Sequence, residues 1–254
     1  CLLLQKLLVA SGLAPTFLTR GYRGTMAGPV RVEAGHRARD VGDEALLLAA
    51  AAPTWVAKNR AAGAVAAATG GARLLIMDDG FQNPTIRKTV SFLLLGGDEA
   101  ALALFPSGPL RERASSAIAR ADAVVIPAGA TLGPDAEGAI VFQTTVKVEV
   151  PASARRVVAF CGIARPDRFF SALEENGCVV TARAQFPDHH FFTAADLQRL
   201  RARALKEGAV LITTEKDLMR LAPGDREGIV AARHAVAVDD PHALVRFVRD
   251  RIGH

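Results

Sequence analysis

"LLIMDDGFQN", Leu74 to Asn83, runs four apolar residues directly into two adjacent acids, then a glycine, an aromatic and an amide. A short apolar run closed by turn-forming residues reads as a buried strand. An apolar strand ending in aspartate has the form of a Walker B element, in which the carboxylate holds Mg2+ directly or through water. A solvated turn after a strand has the same appearance. The meaning of Asp78 and Asp79 therefore depends on what the rest of the chain brings to them.

On either side of that stretch, strand-like and helix-like runs alternate. "TFLTR" reads as a strand feeding the glycine turn of "GYRG", "GDEALLLAAAA" as a helix, "PTWVAK" as a strand and "NRAAGAVAAATG" as a helix. "SFLLL" and "AVVIP" read as further buried strands, with a helix at "SSAIARA" between them. This βα alternation predicts an α/β fold, a mostly parallel sheet with helices on both faces. The rhythm changes at "AIVFQTTVKVEVPASA", where Phe142 to Val150 partly alternate as a half-exposed strand does. A domain boundary is placed there: residues 1–140, a β linker at 141–152, and a smaller α/β domain at 153–254. In the last segment "RRVVAFCGI", "CVVTARAQF" and "AVLITTEKD" read as strands, the third running into a loop. "PDRFFSALEENG", "TAADLQRLRARALKEG" with Thr193 as N-cap, and "HALVRFVRDRI" read as helices.

Half of the 254 residues are hydrophobic, enough for one large core or two modest ones. The net charge of +5 suits an anionic partner. It is spread along the chain without interleaved aromatics, which argues against nucleic acid. Three cysteines, Cys1, Cys161 and Cys178, lack C-x-x-C spacing, so neither a disulfide framework nor a zinc site is expected and a reducing cytosol is the default. The opening "CLLLQKLLVASGLAP" places Leu3, Leu4, Leu7 and Leu8 at helical spacing before Gly12. It reads as an amphipathic helix inside a longer protein rather than as a lipidated or signal-derived end.

In open α/β sheets ligands sit beyond the carboxyl ends of strands. Those ends carry Thr19 and Arg20; Asp78 and Asp79; Cys161 and Gly162; and Thr213 through Asp217. "VGDEA" puts Asp43 and Glu44 at a helix start, where acids also favour the positive end of the helix dipole. "FPDHHFF" sets Asp188, His189 and His190 in a row, a pattern for positioning an imidazole as general acid/base or for binding metal. A surface loop with two titratable histidines would read the same way. "DHH" also names a class of manganese phosphoesterases, whose further ligands are not found here. "FPSGPLRERAS" offers Pro106, Gly108 and Pro109 for a rigid loop before Arg111, Glu112 and Arg113, with arginines suited to phosphate.

Taken in order, "LTRGYRG", "VGDEALLLA", "VAKNR", "MDDGFQ", "PSGPLRE", "AFCGIARPDRFF", "FPDHH" and "TTEKD" resemble the tetraacyldisaccharide 4′-kinase family, which phosphorylates the lipid A precursor. The resemblance spans Leu18 to Asp217. It implies a P-loop-NTPase-like fold of two α/β domains with a cleft between them, ATP with Mg2+, and an acylated glucosamine disaccharide as acceptor. It also implies peripheral work at the cytoplasmic face of the bacterial inner membrane. Under it, Asp43 and His189 form the acid/base pair, Asp78 takes the Walker B metal role, and Asp79, Glu44 and Arg20 serve the nucleotide phosphates. Arg111, Glu112 and Gln82 lie toward the acceptor.

Three departures accompany the resemblance. No G-x-x-x-x-G-K-[ST] occurs in the sequence. In the family that loop precedes the first helix, so its expected place is immediately before Cys1. These residues alone are expected to catalyse poorly. Asn83 stands where the family has histidine, and Lys88 replaces an aspartate. The stretch from Val90 to Pro106 lacks the expected glycine- and asparagine-rich pattern. The competing expectation is a non-catalytic relative that keeps the fold and binds glycolipid or a protein.

Overall fold

The computed structural model describes residues 1–96, 107–108, 110–133 and 136–253. In chain order the first half holds α1 (Leu2–Ala10), β1 (Pro15–Thr19), β2 (Val30–Arg31), α2 (Ala38–Val41), α3 (Asp43–Ala49), β3 (Thr54–Val56), α4 (Arg60–Thr69) and β4 (Leu74–Met77). It continues with β5 (Phe92–Leu94), α5 (Ala114–Arg120), β6 (Ala123–Pro127) and β7 (Val141–Glu149). The remainder holds β8 (Arg156–Cys161), α6 (Pro166–Glu175), β9 (Val179–Gln185), α7 (Ala194–Glu207), β10 (Val210–Thr214), α8 (Glu215–Arg220), β11 (Ile229–Val238) and α9 (Pro241–Ile252). Pro106, Pro109 and residues 97–105 of the departing stretch lie outside the described residues.

By contact the chain forms two units with interleaved segments. One is Cys1–Ala14, Asp79–Val146 and Val236–His254; the other is Pro15–Asp78 and Lys147–Ala235. The segment read as a linker holds β7, which passes from the first unit into the second, as β11 passes back.

In the first unit β5, β6 and β7 pair in parallel, with Phe92 opposite Ala123 and Val124 opposite Val141. Leu3, Leu4 and Leu7 of α1 pack on a core of Ala123, Phe142, Val238 and Leu244. The predicted apolar face of the opening helix is thus the face that is buried, and Gly12 ends it in a left-handed conformation (φ +86°). Rings of Phe92, Phe142 and Phe247 meet at centroid distances of 5.6–6.4 Å.

In the second unit one sheet runs β2-β3-β1-β4. Its β3, β1 and β4 are parallel, and β2 pairs antiparallel at the edge. The other runs β11-β10-β8-β9, all parallel. Alternation along β8 shows why helices cover both faces. Val157, Ala159 and Cys161 pack with Phe169, Phe170 and Leu173 of α6, whereas Val158 and Phe160 pack with Leu197, Leu200 and Ala204 of α7. The mostly parallel α/β architecture is the one expected. Thr193 caps α7, accepting from the Asp196 amide at 3.1 Å.

The short β2 and α2 have no counterpart in the sequence reading, and two longer stretches also differ from it. "TTEKD" does not continue as a loop: Thr214 caps α8 by accepting from the Asp217 amide at 3.1 Å. "IVAARHAVAV" forms β11, unanticipated because alanine, arginine and histidine blur its alternation. Among the described residues no helix is long and apolar enough to cross a membrane.

Candidate active site

The second unit brings together the candidate side chains of "RGYRG", "VGDE", "FPDHH" and "TTEKD", and glycines make the approach possible. A Cβ on Gly24 would lie 2.7 Å from the Asp40 carbonyl, and one on Gly42, at φ +91°, 2.6 Å from the Tyr22 carbonyl. Two backbones therefore touch directly, and α3 starts with Asp43 buried beside them. Gly162, after β8, leaves room for the Pro187–His190 turn and donates its amide to Asp217 at 3.2 Å. His189 sits in that turn with φ +61°, a costly conformation for a non-glycine residue, its amide donating to the Gly162 carbonyl at 2.9 Å.

Asp43 and His189 are brought together: Nδ1 of the ring lies 3.4 Å from Asp43 Oδ2. Between them sits Arg220, on α8. Its Nε and Nη2 donate to Asp43 Oδ2 at 2.8 and 2.6 Å. Its Nη1 donates to Asp217 Oδ1 at 2.7 Å and to the Gly162 carbonyl at 2.6 Å. Nη2 also lies 3.2 Å from His189 Nδ1. Tyr22 meets the His189 ring edge-on at 5.8 Å.

One guanidinium serves two buried carboxylates, and the two respond differently. Burial alone would raise the Asp43 carboxyl, but Arg220's charge and hydrogen bonds, with His189, outweigh it and hold Asp43 below the usual range. Asp217 is fully buried and takes one guanidinium contact; burial pushes it up despite Thr214, Arg220 and the Gly162 amide. Burial first, and then Asp217, push the Cys161 thiol up to about 12, so this strand-end cysteine is no thiolate nucleophile.

Glu44 pairs with Lys216 of α8 at 2.5 Å. Asp78, at the end of β4, accepts from the Thr19 hydroxyl at 3.2 Å across the β1–β4 ladder, and its carbonyl accepts from buried Arg60 at 3.2 Å. Arg20 follows β1 with its side chain exposed. The first unit holds the rest. Asp79, at φ +46°, pairs with Arg111 at 3.5 Å, both largely exposed. Gln82 donates to Glu112 at 3.3 Å, and Glu112 pairs with Arg120, which stacks on Phe81.

The family model for LpxK, tetraacyldisaccharide-1-P 4′-kinase, matches residues 1–253. The chain belongs to this family. The tetraacyldisaccharide 4′-kinase of Rhodospirillum centenum is 44% identical over 252 residues, covering 93% of this chain and 73% of that protein. That of Paramagnetospirillum magneticum is 44% identical over 266 residues, covering 98% and 80%. A crystal structure of an "apo" form of LpxK from Aquifex aeolicus in complex with ATP is 25% identical with a TM-score of 0.82, covering 98% of this chain and 82% of that one.

In this tetraacyldisaccharide 4′-kinase family member, sequence reading missed Arg220. It stands outside the quoted "TTEKD", and reading that stretch as a loop hides it. Thr214 followed three residues later by Asp217 is a helix-start signal. Once α8 is helical, Lys216 and Arg220 share a face at i and i+4, and they meet the consecutive acids Glu44 and Asp43.

Proposed function

We propose that these residues serve transfer of the γ-phosphoryl group of ATP to the 4′-hydroxyl of a tetraacylated glucosamine disaccharide 1-phosphate, a step of lipid A synthesis, and that by themselves, without a G-x-x-x-x-G-K-[ST] loop, they catalyse it poorly. The observation that carries the reading is the pair formed by buried Asp43 and half-buried His189 at 3.4 Å, held by Arg220. A sugar hydroxyl is a weak acid, and proton removal as it attacks is a task for a positioned base. Asp43, kept ionised, takes the hydroxyl proton on Oδ1, whose only other donor among the described contacts is the Glu44 amide. The acceptor oxygen forms its bond to the γ-phosphorus as the bond to the β-phosphate oxygen breaks, and ADP leaves.

Mg2+ fits the donor set at the end of β4. Asp78 and Thr19 offer a carboxylate and a hydroxyl, hard oxygen ligands, within hydrogen-bond distance of each other. Among the described residues no group of three or more His, Cys, Asp or Glu side chains is arranged as a metal cage. A pair of oxygen donors is what Mg2+ takes from a protein when phosphates and water complete its shell. When bound there it offsets phosphate charge. Asp78 and Thr19 would hold it, the hydroxyl also steadying the carboxylate. Asp79, Glu44 and Arg20 are assigned to the nucleotide phosphates, and Arg111, Glu112 and Gln82 to the acceptor. The work is assigned to the cytoplasmic face of the bacterial inner membrane, where peripheral binding would give access to a lipid acceptor.

The test is transfer of γ-labelled phosphate from Mg-ATP to the purified acceptor by the full native chain, and by its Asp43→Ala and His189→Ala variants. Labelled product that disappears in both variants supports the reading. Acceptor binding without transfer by the unaltered chain would favour a non-catalytic relative.

A further inference from the structure

We infer that Arg220 is a positioning residue for the phosphotransfer pair, holding the Asp43 carboxylate with Nε and Nη2 and fixing His189 as the ring tautomer protonated on Nε2. A guanidinium has five N–H donors and no acceptor, and an ionised carboxylate has acceptors only. His189 Nδ1 lies 3.2 Å from Arg220 Nη2 and 3.4 Å from Asp43 Oδ2. In a neutral ring it can serve one of them: as an acceptor from Arg220 or as a donor to Asp43.

The surroundings favour the first. Asp43 Oδ2 already accepts from Nε at 2.8 Å and Nη2 at 2.6 Å, and Oδ1 accepts from the Glu44 amide at 2.9 Å. Nη2 carries two hydrogens, of which Asp43 uses one. The second has the Nδ1 lone pair as its partner, and this is the shorter of the two ring contacts. Arg220 is itself fixed, with Nη1 tied to Asp217 and the Gly162 carbonyl and the side chain 2% exposed. The ring proton is then on Nε2, on the side of Asp188, whose carboxylate is 3.7 Å away.

The consequence is a division of roles. His189 presents an N–H to its surroundings and orients a hydroxyl oxygen as a donor, while Asp43 accepts the proton. This role rests on the phosphotransfer reading above; the state of the ring does not.

The test reads the ring directly. Long-range 1H–15N correlation spectra of the 15N-histidine-labelled chain are recorded at a pH above the ordinary histidine range. The His189 signals are assigned by their loss in His189→Gln. The expected result is Nδ1 unprotonated and Nε2 protonated in the unaltered chain. In Arg220→Gln the majority tautomer reverses, because Nδ1–H is then free to donate to Asp43. Arg220→Lys, which keeps the charge without the fork, falls between. A proton on Nδ1 in the unaltered chain overturns the inference, as does an unmoved tautomer in folded Arg220→Gln. If that variant does not fold, the unaltered chain's spectrum decides by itself. No ATP or acceptor is present, so a failed transfer assay and a failed tautomer are separate results.

Discussion

The Lys88 ammonium donates to the main-chain carbonyl of Asn83 at 2.6 Å, so the two residues that stand out against the resemblance read from the sequence are in contact. Lys88 also reaches the carbonyls of Gly80 and Phe81 at 3.3 and 3.2 Å. Asn83 in turn accepts from the Thr85 amide and hydroxyl at 2.9 and 2.7 Å, closing an Asx turn. Together they shape the loop that carries Asp79, Phe81 and Gln82. In the fold the two are mutually supporting.

Replacing Lys88 by Met should therefore loosen this loop. Three part-buried carbonyls lose a charged donor, at a cost of about 1–3 kcal/mol. Urea unfolding would read the loss, and faster exchange of the Asn83 amide, now bonded to the Gly80 carbonyl at 3.0 Å, would localise it. Unchanged stability and exchange would mean that the lysine does not hold the loop.

Asp43 and His189 should behave as one catalytic unit. Removing either costs about 10²–10⁴ in kcat, the range for a positioned proton-transfer group. The double variant costs little more than the worse single one, because each depends on the other's placement. Steady-state kinetics of Asp43→Ala, His189→Ala and both together make the comparison. Fully multiplicative losses would show two independent roles.

Most of the scaffold is legible in the residues because each strand and helix pairs its apolar period with its own stop signal. Leu3, Leu4 and Leu7 face a core, Thr193 caps α7, and "LLIM" ends at Asp78. The order of short motifs carried the family. The buried network was not legible, since Arg220 meets Asp43 across 177 residues and nothing local to either marks the partner. Strand β11 was hidden for another reason. Its burial depends on neighbouring strands rather than on a clean alternation of its own. The interleaving of the units follows from where β7 and β11 cross, a property of topology that segment-by-segment reading does not contain.

Asp78→Asn should lower transfer by about 100-fold at saturating ATP, the scale for removing one contributor to a phosphate charge clamp. Thr19→Val leaves the carboxylate but removes its 3.2 Å hydroxyl contact, so its effect should appear chiefly as a higher Mg2+ requirement. Titrating Mg2+ at fixed ATP separates the two variants. An unchanged Mg2+ requirement in both would move the metal away from the end of β4.

Stability against acid provides the last prediction, and its sign follows from Asp43. Arg220 and His189 overcome burial and hold the folded Asp43 below its ordinary value of 3.8. The contribution is therefore complete above that ordinary value and is lost as pH falls through the lowered folded one. Asp217 works in the opposite sense. Burial raises it above 3.8, so its contribution is present below that value and is lost as pH rises through the folded one. Asp43→Asn should therefore flatten the fall in melting temperature below about pH 4 while lowering stability at neutral pH. Arg220→Met should be the harsher change, costing about 3–5 kcal/mol at neutral pH, because it strands two buried acids at once. Melting curves across the acid range test both. If Asp43→Asn shows the same acid slope as the unaltered chain, Asp43 does not titrate with folding and Arg220 is not its stabilising partner.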